Sequence, residues 1–110
     1  MDKVIYEFYY NVGQYSFYSC YRCVVDKETE KMFYGKVFYE SGVPHNSRFA
    51  INKSNLNQIR QKADERNGLF YKVQVEGDSI EDAKRKASKI IYDYVTEFIN
   101  EFINNIEEEV

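Results

Sequence analysis

The sequence predicts an α+β fold: an antiparallel sheet of four or five strands in the order β-β-β-(β)-α-β-α, covered on one face by a short helix and a long C-terminal helix. Three observations lead there. Residues 3–40 hold three runs of alternating side chains, rich in aromatic and β-branched residues and broken by short polar turns. Residues 79–110 contain neither Gly nor Pro and place apolar residues at helical spacing. A further strand-like run, Leu69 to Val75, leads directly into that last segment. At 110 residues the chain has the size of one domain and can bury a core without disulfide or metal staples.

Taken in order, Lys3 to Tyr10 places Val4, Tyr6, Phe8 and Tyr10 on one face and Ile5, Glu7 and Tyr9 on the other. Asn11-Val12-Gly13 supplies turn chemistry. Gln14 to Val25 reads as a longer second strand and Asp26 to Lys31 as a charged hairpin loop. Met32 to Glu40 is a third strand, with Gly35 as a bulge. The three pair in sequence as a meander. Ser41 to Ser47 is the segment of strongest loop character, and Arg48 to Ile51 a short fourth strand. Ser54 is positioned to cap a short helix reaching about Asn67, with Leu56, Ile59 and Ala63 as its buried stripe and Gly68 as its stop.

The long helix has a clear beginning. Asp78 and Glu81 have the spacing of a capping box, Asp being the cap. Glu81 and Asp82 favour the positive end of the helix and stand four residues before Arg85 and Lys86. Ile80, Ala83, Ala87, Ile91 and Tyr94 form a narrow stripe suited to close packing on a sheet. From Ile90 the stripe widens through Val95, Phe98, Ile99, Phe102, Ile103, Ile106 and Val110. A strand spans only about 17–20 Å, so this second half overhangs the sheet. Residues 95–110 are therefore an oligomerisation segment, with Val95, Phe98, Ile99, Phe102, Ile103 and Ile106 at the interface. The alternative is a break near Asn100 or Asn104-Asn105 that folds the end back.

The stretch from Tyr71 to Ala83 resembles a strand-to-helix junction found in small bacterial domains, antitoxins of the HicB type among them. It covers 13 residues, and what it implies is shared local packing.

Composition narrows the function. Eleven Tyr and eight Phe, with no Trp, fit an AT-rich coding sequence, as in a low-GC bacterium or one of its viruses. The net charge is −3; residues 1–75 carry 11 Lys/Arg against 8 Asp/Glu, and residues 76–110 carry 4 against 10. A dedicated nucleic-acid binder is usually more basic. Met1-Asp2-Lys3 opens no signal peptide, and no run approaches the roughly 18 apolar residues of a membrane span. A cytoplasmic protein without membrane contact is expected.

Chemistry-bearing residues are few. Cys20-Tyr21-Arg22-Cys23 has the spacing of a metal or redox pair, but inside a strand residues three apart point to opposite faces. No metal and no cofactor is expected. His45 lies in the Pro-containing loop without a nucleophile at recognisable spacing. A small anionic ligand would bind beside residues 43–48; the candidates are Arg48, His45, Arg22 and Tyr39. Tyr6, Tyr15, Tyr21, Tyr34 and Tyr39 make an aromatic sheet face that could stack bases, anchor a protein or simply pair across strands.

The expectation is a non-catalytic, homo-oligomeric binding protein. Small, acidic, Tyr- and Asn-rich chains of this kind are similar to inhibitors of bacterial defence encoded by viruses or mobile elements, which sequester a nucleotide-like ligand or block a host protein. The alternatives are a nucleic-acid-binding regulator using the aromatic face and a structural interaction protein.

Overall fold

The structure, a computed structural model, describes residues 3–11, 17–65 and 68–109. These form six strands, β1 (Val4–Asn11), β2 (Phe17–Glu28), β3 (Met32–Tyr39), β4 (Pro44–Asn52), β5 (Ile59–Asp64) and β6 (Gly68–Glu76), followed by one helix, α1 (Ile80–Glu109). Every pairing is antiparallel, in one sheet of order β4-β3-β2-β1-β6-β5. The α+β class holds, with six strands rather than four or five and a single α-helix.

The missing short helix is instructive. Residues predicted as helix from Ser54 to Asn67 form one 3-10 turn, Lys53–Asn55, and then β5. Asn57 adopts a left-handed conformation (φ 63°), which ends helical propagation, and its N–H donates to the Gln74 carbonyl at 2.9 Å. That bond draws the chain onto the free edge of β6. Leu56 then joins one core while Ile59 joins the other. A helix would have buried Leu56, Ile59 and Ala63 together. Gly68, expected as a helix stop, instead opens β6 opposite Asp64 with φ 68°.

Two predicted loops are shorter than expected. β2 runs on to Glu28, with Asp26 as the extra residue of a bulge, so Gly35 is the partner opposite the bulge and not the bulge itself. Thr29 closes the turn by donating to the Met32 carbonyl and accepting from its N–H. The segment 41–47 shrinks to a turn in which Gly42 donates to the Tyr39 carbonyl, and β4 begins at Pro44. The predicted turn at Val12-Gly13 lies outside the described residues.

Two cores lie on opposite sides of the sheet. On the helix face, Tyr6, Phe8, Tyr71, Val73 and Val75 pack under Ala83, Ala87 and Ile91. The alanines let α1 settle closely over β6 and β1. On the open face, Ile5, Cys23, Phe33, Phe49 and Ile51 form a second cluster, with Leu56 from the β4–β5 crossing packed against it.

The helix cap sits one residue later than predicted. Ser79 Oγ accepts from the Asp82 N–H at 3.1 Å, and Asp82 Oδ2 accepts from the Asp78 N–H at 3.2 Å. Asp82 also pairs with Arg85 and Lys86. Beyond Val95 the helix leaves its sheet: Phe98 and Phe102 are 63% and 60% exposed. At about 100° per residue, the stripe of Phe98, Ile99, Phe102, Ile103 and Ile106 is centred roughly 90° from that of Ile80, Ala83, Ala87 and Ile91. The exposed stripe thus starts in line with the sheet-facing row at Phe98 and swings to its side. No helix among the described residues is long and apolar enough to cross a membrane.

Candidate functional site

The open face holds a cavity of about 400 Å³. Phe49 and Ile51 of edge strand β4 and Arg60 of edge strand β5 all line it, so the sheet curls toward this side. Cross-strand register builds its floor. Gln74, Glu7 and Tyr21 line it in a single row over β6, β1 and β2, and the row continues past the cavity to Tyr39 on β3. The neighbouring row contributes Arg60, Lys72 and Tyr9.

One end is polar. Glu7 accepts from two donors, Tyr9 Oη at 2.5 Å and Gln74 Nε2 at 2.6 Å, and is ion-paired with Lys72 Nζ at 3.6 Å. Arg60 Nη2 donates to Gln74 Oε1 at 3.1 Å. Its Nε is buried without an acceptor, and no carboxylate among the described residues pairs with this guanidinium. The other end is aromatic. Tyr21 meets Tyr9 at 5.7 Å, Tyr39 at 5.8 Å and His45 at 6.0 Å between ring centroids, and Tyr39 and His45 lie 5.0 Å apart. His45 Nδ1 accepts from the Ser47 N–H.

The predicted ligand residues are divided by this geometry. Tyr39 and His45 come together on the open face. Arg22 lies on the opposite face, over the Phe38 ring at 5.2 Å. Arg48 is ion-paired with Asp26 at 2.7 Å, and its hydrogen bond holds the Asp26 carboxyl below the usual carboxylate range. The tyrosines do not share one face: Tyr6 is in the core under the helix, Tyr21 and Tyr39 line the opposite side, and Tyr34, next to Phe33 in β3, points away from the open-face cluster. Tyr15 lies outside the described residues.

The chain matches no family model, no curated protein and no solved structure.

Glu7, Arg60, Lys72 and Gln74 escaped the sequence reading. Alternation alone places Lys72 and Gln74 on one face of the last strand, away from its buried valines. Arg60 was hidden by the helical reading of its segment. The cysteines occupy opposite faces, Cys20 toward the helix and Cys23 toward the cavity. Burial pushes both thiols up to about 12. No group of three His, Cys, Asp or Glu side chains among the described residues is arranged to hold a metal ion.

Proposed function

We propose that this chain is a non-catalytic, homo-oligomeric binding protein that holds a small ligand on the open face of its sheet. The observation that carries the reading is the division of labour between faces. The helix occupies one side of β1 and β6, while the other side keeps a cavity in which a charged network meets an aromatic wall. Its volume is within the roughly 300–1,000 Å³ of small-molecule sites.

A binding role fits the state of the groups better than turnover does. Glu7 is held by two donors and an ion pair, which suits a fixed charge more than a proton acceptor. Cys23 is kept protonated by burial, which disfavours a nucleophile. For assembly, the apolar stripe at Phe98 to Ile106 lies exposed beyond the sheet's cover, and a second copy offers the self-complementary surface that a two-fold contact needs.

Thermal scanning of the full chain against a panel of small metabolites tests the ligand reading. At least one compound should raise the melting temperature of the wild type, and Tyr21→Ala should remove that rise while Tyr92→Ala, on the exposed side of α1, keeps it. A panel without any stabilising compound, or stabilisation indifferent to Tyr21, would send the function elsewhere.

A further inference from the structure

The two ends of the cavity call for different chemistry, and their separation sets the shape of what joins them. Arg60 Nε is a buried donor with no acceptor in a structure where its Nη2 is already used. Such a donor is costly unless something accepts from it. Lys72 stands directly across the β5–β6 ladder from Arg60. Glu7 offsets one of these two charges, so the polar end retains a surplus of positive charge. Arg48, which also lines the cavity, is neutralised by Asp26 and adds nothing to that surplus. An anionic group is the natural complement, and the guanidinium fork suits a phosphate or carboxylate.

The aromatic end begins two strands away. Lys72 is on β6 and Tyr21 on β2, with β1 between them. At about 4.8 Å per strand the distance is about 10 Å. Tyr21, Tyr39 and His45 offer ring faces and edges of one cluster, a surface on which a planar heterocycle stacks.

We propose that the cavity binds a nucleoside phosphate, with its anionic end on Arg60 and Lys72, its sugar as spacer over Tyr9, and its base against Tyr21 and His45, which Tyr39 backs from outside the cavity. The inference rests on the open face being the ligand site and adds the class of ligand to it. A cavity of about 400 Å³ is of the size of a single mononucleotide.

Calorimetric titration of the full chain decides the matter with four probes: the common nucleoside 5′-monophosphates, the matching nucleosides, inorganic phosphate, and a short single-stranded oligonucleotide. At least one monophosphate should bind at least tenfold more tightly than its nucleoside and more tightly than inorganic phosphate. Arg60→Ala should bring it to within a few-fold of the nucleoside, leaving nucleoside affinity unchanged. Lys72→Met should act in the same direction, and it serves as the second variant where Arg60→Ala melts early. Tyr21→Ala should weaken monophosphate and nucleoside alike.

Equal affinity for monophosphate and nucleoside, or indifference to Arg60 and Lys72, overturns the anionic subsite; if Tyr21→Ala still weakens binding, the open face remains the ligand site. Indifference to all three substitutions overturns both readings. Failure of every monophosphate to bind removes the nucleotide, and a tighter oligonucleotide replaces it with nucleic acid.

Discussion

Gly35 packs against Val24 so closely that a Cβ at position 35 would stand 1.9 Å from the Val24 carbonyl oxygen and 2.7 Å from Phe49 Cε1. The glycine lies opposite the β2 bulge, where the sheet bends around the open-face core. Neither backbone nor a buried ring can give way cheaply. Gly35→Ala should destabilise the fold by roughly 1–3 kcal/mol or more, seen as a lower urea midpoint. An unchanged midpoint would show that the two strands are not this close.

Ser79 and Asp82 tie the start of α1. Ser79→Ala removes the acceptor for the Asp82 N–H and should cost about 0.5–2 kcal/mol. The Asp82 carboxyl is held below its ordinary value of 3.8, first by the Asp78 N–H and then by Lys86. A depressed carboxylate stabilises the fold above its unfolded value and loses that contribution as pH falls below it. Asp82→Asn should therefore melt below the wild type at neutral pH, and the two curves should converge as pH drops beneath 3.8. Parallel curves down to strongly acid pH would place the stabilisation elsewhere.

The thiols should be inert in the folded chain. With Cys20 and Cys23 both pushed up to about 12, alkylation at mildly alkaline pH should run more than tenfold slower than in urea. Because the side chains point to opposite faces, mild oxidation should not join them. Mass spectrometry reads both results. An internal disulfide in the purified protein would contradict the course of β2.

Assembly through α1 has a direct test. Phe98, Phe102 and Ile106 share one row of the exposed segment, so Phe102→Asp places a charge at its middle. Static light scattering should give a wild-type mass of at least twice the 13.2 kDa chain, and the variant should be monomeric with an unchanged circular dichroism spectrum. A wild-type mass of 13.2 kDa at micromolar concentration would overturn the shared helix.

Which parts of this protein were legible in its residues follows from the range of the forces involved. Alternation in β1 to β3, the break at Gly77 and the uninterrupted run after Ser79 are local signals, and they yielded the antiparallel sheet and the long helix. The opposed faces of Cys20 and Cys23 followed from the period of a strand alone. The overhang of Phe98 to Ile106 followed from length. What tertiary structure decided was the fate of residues 54–67, whose weak apolar pattern suits a helix or an edge strand. The open edge of β6 and the Asn57–Gln74 bond settled it, and neither is local. With β5 misread as a helix, Arg60 had no face, and the meeting of Arg60, Lys72, Gln74 and Glu7 could not be foreseen. Side chains from three strands come together only through register, and register between β1, β6 and β5 is set by the packing of both cores at once.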